Sequence, residues 1–401
     1  MDSGFKAISS GTATSPQGFL AGAVLSGISR QKELDLAILY SEKPCLAAGV
    51  FTTNAIQAAP VVLSQKHLQD RSAQAVVVNS GCANACTGDA GMADAEETAT
   101  LVADRLSISP ADVLVASTGV IGVPLPMERV RTGIPKITLI SEGGHELARA
   151  MMTTDTFAKE IAVFVKAEPD GFTIGGVAKG AGMMHPDMAT MLCFLATDAT
   201  VDAGFLQSAL QKAVDASFNM ISIDGDTSPS DMVVLLANGL ARAETIDDCN
   251  GERFQKALDE VCLYLAKCIA RDGEGATKLI EVTVEGALTE AEARLAARTI
   301  VSSPLVKAAM HGNDPNWGRI VAALGRSGAQ VTETRLDVYL NDVCVMKQGR
   351  PMPFDKQKVS RSLARKEVFL RLYLNLGRGE STAWGCDLSE EYVTINSAYT
   401  T

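Results

Sequence analysis

The strongest constraint on the fold is a repeated pattern in which an apolar, β-branched run ends in a glycine turn. The run AQAVVVNSG, residues 73–81, ends at Asn79-Ser80-Gly81, and apolar residues at helical spacing follow over Ala93–Leu106. The run ADVLVASTGVIG, residues 111–122, repeats the first half of this pattern. Such runs are typical of buried strands, and strands that alternate with helices indicate a layered α/β fold.

Hydrophobic periodicity predicts the other elements along the chain. AGAVLSGI, LDLAILYS and AAGVFTTN read as three short strands near the N-terminus, and Met191–Ala196 as a buried strand. Helices are predicted at Asp202–Phe218, Arg253–Ala270 and Thr289–Val301, and Gly273 could form a left-handed cap after the second of them. Later strands are predicted at KLIEVTVEG, in a hairpin over Leu336–Met346 about Asn341-Asp342, at Val368–Leu376 and at Tyr392–Ile395.

The length of 401 residues predicts two domains or one large layered one, and no linker-like stretch marks a boundary. The formal net charge of −11 argues against a nucleic-acid surface. No stretch approaches a membrane span, and MDSGFKAISS lacks the pattern of a signal peptide. Nine scattered cysteines without a CxxC pair predict reduced thiols, no zinc site, and a cytoplasmic or organelle-matrix location.

The segment GGVAKGAGMMHPDMATMLCFLATD, residues 175–198, combines a glycine-rich stretch, one lysine and a threonine that opens an apolar run. It fits neither the dinucleotide fingerprint, whose third glycine would fall at His185, nor the Walker loop. A phosphate cradle built from main-chain amides, a buried strand after a flexible turn, and a catalytic role for Thr190 all remain open.

Thr190 suits acyl-transfer chemistry because a threonine hydroxyl becomes a nucleophile when its own free α-amine acts as the base. That amine would be created if the hydroxyl attacked the carbonyl of Ala189 and the chain were cleaved there. Lys179 could keep the amine neutral by charge repulsion. The turn Ser117–Gly122 offers a hydroxyl and main-chain amides for an oxyanion, although a plain glycine turn explains the same pattern.

Two other groups of polar residues have simpler explanations. Asp224–Asp231 could hold a hard cation, but it lacks the glycine and glutamate of a calcium loop, which favours an acidic turn whose side chains bond to their own main chain. His185 and Cys193 could form a catalytic pair, yet Cys193 lies within an apolar run, where a thiol is usually an inert small hydrophobe.

The segment around Thr190 closely resembles the autocleavage segment of the glutamate/ornithine N-acetyltransferases of arginine biosynthesis. The resemblance extends in order along the whole chain, through the blocks GVFTTNAIQAAPV, VVNSGCANACTG, VASTGVIG, MTTDTFAK, ISIDGDTSPSDM, GEGATKLIEV, DPNWGRI and EYVTINSAYTT. It implies a layered αββα sandwich, shared with a family of self-processing aminopeptidases.

The resemblance also implies roles for individual residues. Cleavage between Ala189 and Thr190 would give an α chain, residues 1–189, and a β chain, residues 190–401, which stay associated, and Thr190 would be the acyl-accepting nucleophile. The VASTGVIG block implies an oxyanion site at Thr118 and Gly119. The substrate contacts implied by the family pattern are Thr153, Lys179, Thr190, Glu274, Asn396 and Thr401.

These implications lead to one function and two alternatives. The expected enzyme moves an acetyl group from N-acetylornithine to glutamate through acetyl-Thr190, without a cofactor or metal; whether acetyl-CoA also serves as donor is left open. The resemblance further implies an assembly of two α and two β chains in the cytoplasm, with no nucleic-acid or membrane partner. The alternatives are a self-processed aminopeptidase or amidase of the same fold and a non-catalytic protein that binds an amino acid.

Overall fold

The computed structural model describes residues 4–29, 33–167, 170–185, 191–241 and 244–398. Its strands are β1 Phe5–Ala7, β2 Phe19–Val24, β3 Leu36–Phe51, β4 Ser72–Asn79, β5 Val113–Ser117, β6 Lys159–Val165, β7 Phe172–Lys179, β8 Leu192–Thr197, β9 Ile221–Ser222, β10 Met232–Ala237, β11 Leu279–Ala287, β12 Asp337–Leu340, β13 Val343–Lys347, β14 Arg350–Pro351, β15 Glu367–Tyr373 and β16 Gly379–Cys386. Its helices are α1 Ala59–His67, α2 Gly88–Leu106, α3 Met127–Gly133, α4 Gly144–Ala150, α5 Ala203–Ala216, α6 Glu252–Arg271, α7 Glu290–Val301, α8 Pro304–His311, α9 Trp317–Gly325, α10 Lys356–Leu363 and α11 Glu390–Ala398.

The larger of the two sheets in the described residues has nine strands, in the order β1-β6-β7-β8-β10-β3-β4-β5, with β2 paired to β3. Strand β3 joins its two halves, since the first part of β3 pairs with β2 and β4 and the last part pairs with β10. The register with β4 shifts between Tyr40 and Cys45, which allows the strand to bend.

Two of the predicted strands, LDLAILYS and AAGVFTTN, are therefore halves of one 16-residue strand, and their separation in the prediction was wrong. Pro44 and the charged residues before it suggest a turn. In the structure they lie in β3 at the irregular part of its pairing, where a proline is tolerated in a strand.

The core is divided into layers by the alternation of side chains along the strands. Leu195 of β8 packs on one face against α5 and α6, and its neighbour Phe194 points to the opposite face, into the space between the two halves of the sheet. On the far half, Val77 of β4 packs under α2 and α3. The order helix, sheet, sheet, helix is the predicted αββα arrangement, and the predicted fold class is confirmed.

The second sheet in the described residues has seven strands, in the order β14-β13-β12-β15-β11-β16-β9. Val282 of β11 and Ala297 of α7 belong to the same apolar cluster as Leu195. The two sheets are therefore built around a shared core, which explains why no linker is visible in the sequence.

Most predicted helices form where they were expected, with caps that the sequence supplies. Asp202 accepts hydrogen bonds from the main-chain amides at the start of α5, and Thr289 does the same for α7. The predicted left-handed cap at Gly273 was wrong. Helix α6 ends at Arg271, its cap residue Asp272 has φ −90°, and Gly273 does not have a positive φ. A Cβ at Gly273 would lie 2.6 Å from the Cys386 sulfur, so this glycine leaves room for packing.

The predicted hairpin about Asn341-Asp342 forms between β12 and β13, and Asn341 has the left-handed φ of 50° that such a turn favours. The predicted strand at Tyr392–Ile395 is instead part of the helix α11. The β-branched residues Val393 and Ile395 favour a strand, but two glutamates in the first turn stabilise the start of a helix.

Two neighbouring strands, β7 and β8, precede and follow in sequence the segment that contains Thr190. Strands β7 and β8 pair antiparallel, with Lys179 opposite Leu192, and β10 lies parallel to β8 on its other side. Strand β7 precedes the expected cleavage point and β8 follows it, so the two predicted chains would share one sheet. The division into residues 1–189 and 190–401 stays a prediction. No helix within the described residues is long and apolar enough to cross a membrane.

Candidate active site

Six residues that the resemblance predicts for the site line one cleft: Thr118, Gly119, Thr153, Lys179, Glu274 and Asn396. They come from distant parts of the chain. The remaining lining residues are Ala83, Ile121, Thr154, Gly182, Met183, Ser228 and Ser230. The other three predicted residues, Ala189, Thr190 and Thr401, lie outside the described residues.

The predicted oxyanion pair follows the buried strand β5. Thr118 donates its amide hydrogen to the Asn79 carbonyl at 3.0 Å, and the Ser117 hydroxyl lies 2.6 Å from the Asn79 side-chain oxygen. Gly119 has φ 131°, and a Cβ there would approach the main-chain carbon of Gly81 to 2.4 Å. The turn therefore requires glycine, and it fixes the Thr118 hydroxyl against the cleft.

Lys179 reaches the Thr118 side chain from the end of β7. Its Nζ lies 3.2 Å from the Thr118 hydroxyl oxygen, and the lysine is only 3% exposed. Burial lowers the pKa of the Lys179 ammonium below its ordinary value, although the carboxylate of Asp155 acts in the opposite direction. In its ammonium form the lysine only donates, so the Thr118 hydroxyl hydrogen is then left to point elsewhere, which suits an oxyanion donor.

A buried cluster beside Lys179 was not predicted from the sequence. Lys159 Nζ lies 2.7 Å from Asp155 and 2.6 Å from Asp272, and all three side chains are almost completely buried. The amide of Gly180 also donates to Asp155 at 2.7 Å. Burial by itself would raise the pKa of Asp155, but the charges of Lys179 and Lys159 and these hydrogen bonds hold it below its ordinary value.

The only sequence signal for this cluster was local. Asp155 and Lys159 lie four residues apart in the block that suggested Thr153, but nothing in the pattern pointed to Asp272 at the end of α6. The cluster ties the loop that carries Thr153 to β6 and α6, and the Thr153 amide donates to Asp155 at 3.1 Å.

Glu274 and Asn396 meet in the lining of the cleft. The Asn396 side-chain nitrogen donates to a Glu274 carboxylate oxygen at 2.7 Å. A Cβ on Gly182 would lie 2.6 Å from that carboxylate, so glycine at this position makes room for it. Helix α11, which was predicted as a strand, is the element that brings Asn396 to the cleft.

The glycine-rich stretch is not a phosphate cradle. Gly175 and Gly176 lie within the buried strand β7, where added Cβ atoms would clash with the Thr12 carbonyl and the Leu195 side chain. The loop begins only at Gly180, whose amide already donates to Asp155. The amides of Met183 and Met184 likewise donate to Asp224.

The acidic loop, Asp224–Asp231, agrees with the prediction of an acidic turn, because its aspartate side chains accept hydrogen bonds from main-chain amides. Asp224 accepts from the amide of Asp226 at 3.2 Å, as in an Asx turn, and also from Met184 at 2.8 Å. Asp231 accepts from the amide of Met191 at 2.8 Å. Across the described part of the chain, no three or more His, Cys, Asp or Glu side chains are placed to hold a metal ion.

The alternative pair of His185 and Cys193 has its members in different surroundings. Cys193 is fully buried in the cluster that contains Leu195, and burial raises the pKa of its thiol well above the ordinary value. The His185 ring nitrogen instead lies 3.2 Å from the Ser222 hydroxyl. The structure therefore agrees with an inert core thiol.

Comparison with known proteins identifies similar chains. A sequence model of the ArgJ family matches residues 20–401. The arginine biosynthesis bifunctional protein ArgJ of Dehalococcoides mccartyi is 53% identical over 406 residues, covering 100% of both chains. The protein of the same name from Symbiobacterium thermophilum is 52% identical over 98% of this chain and 99% of its own. A crystal structure of ArgJ from Bacillus halodurans is 46% identical, covers 50% of this chain and 96% of that one, and has a TM-score of 0.49.

Proposed function

Because the chain belongs to the ArgJ family, we propose that it is the N-acetyltransferase of arginine biosynthesis that transfers an acetyl group from N-acetylornithine to glutamate. The observation that carries the proposal is the convergence of Thr118, Lys179, Glu274 and Asn396 on one cleft. The cleft adjoins the paired strands β7 and β8, between which the chain passes through Thr190.

In the first half-reaction the Thr190 hydroxyl attacks the acetyl carbonyl of N-acetylornithine. The free α-amine of Thr190 accepts the hydroxyl proton and then delivers a proton to the departing nitrogen of ornithine. The Thr118 hydroxyl and the Gly119 amide stabilise the negative charge that develops on the carbonyl oxygen. The contact from Lys179, at 3.2 Å, directs the Thr118 hydroxyl hydrogen away from the lysine and toward that oxygen.

In the second half-reaction the α-amine of glutamate attacks the acetyl-Thr190 ester, and N-acetylglutamate leaves with the hydroxyl of Thr190 restored. Glu274, oriented by Asn396, pairs with the cationic δ-amine of ornithine. Thr153 and Thr401 complete the substrate contacts.

Self-cleavage between Ala189 and Thr190 supplies the α-amine. The resulting chains stay together because β7 and β8 exchange main-chain hydrogen bonds over six residue pairs, from Ile174 with Thr197 to Lys179 with Leu192. We place two copies of each chain in the working enzyme, in the cytoplasm. The word bifunctional in the names of the similar proteins supports acetyl-CoA as a second acetyl donor.

The test is to incubate the purified protein with N-acetylornithine, with and without glutamate, and to measure ornithine release. The transferase releases ornithine over many turnovers only when glutamate is present. Release with water alone would identify the aminopeptidase or amidase alternative, and no release at all would identify a binding protein.

Thr190→Ala is the matched control variant. It should stay one chain on a denaturing gel, whereas the wild-type β chain should begin Thr-Met-Leu-Cys on N-terminal sequencing. A fully active, uncleaved wild-type chain would contradict the free-amine mechanism.

A further inference from the structure

Two aspartates of the acidic loop hold the main chain on either side of the segment that contains the expected cleavage point. Asp224 accepts the amides of Met183 and Met184, before the segment, with the second bond at 2.8 Å. Asp231 accepts the amide of Met191, directly after Thr190, also at 2.8 Å. The loop that the sequence suggested as a cation site thus contacts both flanks of residues 185–190.

The two aspartates differ in how completely they are paired. Both oxygens of Asp224 accept main-chain amides. Asp231 is 0% exposed, and within the described residues its Oδ2 has no hydrogen-bond partner. A buried carboxylate oxygen without a partner is costly and rare, so its retention beside the cleft points to a partner that the reaction supplies.

We propose that Asp231 is a positioning residue for the nucleophile, with one oxygen holding the main chain at Met191 and the other accepting an N–H of the Thr190 α-amine. The proposal rests on the proposed function, in which that amine is the base. Covalent geometry keeps the α-nitrogen of residue 190 within about 4 Å of the Met191 nitrogen, which is within reach of the same carboxylate. An amine with one N–H directed at Asp231 presents its lone pair in another direction, where its own hydroxyl can use it.

The charges around Asp231 agree with this role. Burial raises the pKa of Asp231 well above its ordinary value, while the Met191 amide, the charge of Lys179 and the main-chain amide of Ser228 act against the rise. From the packed strands, Lys179 of β7 is the charged side chain that acts on Asp231. Met191, before β8, contributes a main-chain amide to the carboxylate, whereas the amide of Thr52, after β3, donates to the main-chain carbonyl of Asp231. A carboxylate beside the amine favours its protonated form, and Lys179 favours its neutral form.

The test is Asp231→Asn, which keeps an oxygen for the Met191 amide and replaces the unpaired oxygen by a group that cannot accept a hydrogen bond. The wild type is first shown to cleave itself and to transfer acetyl from N-acetylornithine to glutamate; failure there would refute the proposed function itself. The variant should be at least as stable in urea as the wild type and should still cleave itself, because the amine forms only on cleavage. It should transfer acetyl with a kcat about 10- to 100-fold lower.

The pH profile separates positioning from a merely structural role. Loss of the carboxylate lowers the pKa of the amine, so the acidic limb of kcat/KM in Asp231→Asn should move to lower pH. A wild-type rate, or a slower rate with an unshifted limb, would overturn the proposal. Asp226→Asn, the same change at an exposed position of the same loop, should alter neither quantity.

If Asp231→Asn folds but remains uncleaved, Asp231→Glu decides the outcome. Recovered cleavage together with recovered acetyl transfer, with the carboxylate restored, would support the proposal. If both folded variants remained uncleaved, the role of Asp231 would be limited to its hydrogen bond with the Met191 amide, and the proposal would be wrong.

Discussion

Asp155 and Asp231 are buried carboxylates beside the same cleft, and their surroundings are opposite. Asp155 is paired with Lys159 and accepts a main-chain amide, and its pKa lies below the ordinary value. Asp231 accepts one amide, has one oxygen without a partner in the described residues, and its pKa lies well above the ordinary value.

Under the role proposed for Asp231, the difference separates a carboxylate that stabilises the fold from one that serves the reaction. Charges that only hold the fold are satisfied on every side, since a buried charge without a partner is strongly destabilising. The lysines repeat the contrast. Lys159 contacts two carboxylates, whereas Lys179 contacts the hydroxyl of Thr118, a neutral group that is expected to act in the reaction.

The largest expected effect comes from breaking the fully paired cluster. Lys159→Met should lower the free energy of unfolding by about 3–5 kcal/mol, because two buried carboxylates lose their shared partner. Urea unfolding measures the change. Lys256→Met is the matched control, since Lys256 pairs with Glu252 on the surface, where the side chains are 62% and 80% exposed; it should cost less than about 1 kcal/mol. Equal losses of unfolding free energy in Lys159→Met and Lys256→Met would contradict the difference between the buried cluster and the surface pair.

The next largest effect is expected at Thr118, whose hydroxyl is proposed to act in the reaction rather than to stabilise the fold. Thr118→Ala should lower kcat about 100- to 1,000-fold, or about 2.7–4 kcal/mol in activation free energy, while urea stability changes little. Ser117→Ala is the neighbouring control, because the Ser117 hydroxyl hydrogen-bonds Asn79 inside the protein. That variant should lose about 1–2 kcal/mol of stability and much less activity. An unchanged kcat in Thr118→Ala would place the oxyanion donor elsewhere.

The pH dependence of stability should differ in sign for the two aspartates. The pKa of Asp155 is depressed in the folded state, so its contribution is present above the ordinary aspartate pKa and is lost as the pH falls through the folded value. The stability lost in Asp155→Asn should therefore be greatest near neutral pH and shrink in acid.

The pKa of Asp231 is raised in the folded state, so the wild type should lose stability as the pH rises from the ordinary value through the folded one. Asp231→Asn should accordingly gain stability relative to the wild type as the pH rises above the ordinary aspartate pKa, and the gain should grow until the folded pKa is passed. Urea unfolding at a series of pH values compares both variants. If stability changed with pH in the same way in Asp155→Asn and Asp231→Asn, the proposed difference between the two aspartates would be wrong.

The smallest expected effect lies at the edge of the cleft. Asn396→Ala removes one hydrogen bond to Glu274 and should raise KM for N-acetylornithine about 5- to 10-fold with kcat nearly unchanged. Ser397→Ala, on the same helix with only a local bond to Thr394, is the control and should leave KM unaltered. Deletion of residues 399–401 tests Thr401 separately, and an unaltered KM there would remove Thr401 from the site.

Patterns in the sequence predicted most of the fold, because strands and helices with one buried face repeat apolar residues at fixed spacing. The run 73–81 became β4, and the capping residues Asp202 and Thr289 began helices as predicted. The prediction failed where a distant contact overrode local preference. Gly273 leaves room for Cys386, and β-branched Val393 lies in the helix α11 rather than in a strand.

The sequence by itself determined the family, the layered fold class and the identities of the expected site residues, since these depend on the order of motifs along the chain. Only the tertiary structure decided which residues meet. Asp155 and Lys159 pair with Asp272, and the amides of Gly180 and Met184 already donate to aspartates. Within the described residues, one oxygen of Asp231 has no hydrogen-bond partner. The physical reason is that the pKa and pairing of a buried charge depend on neighbours from remote segments. Local sequence carries no record of those distances.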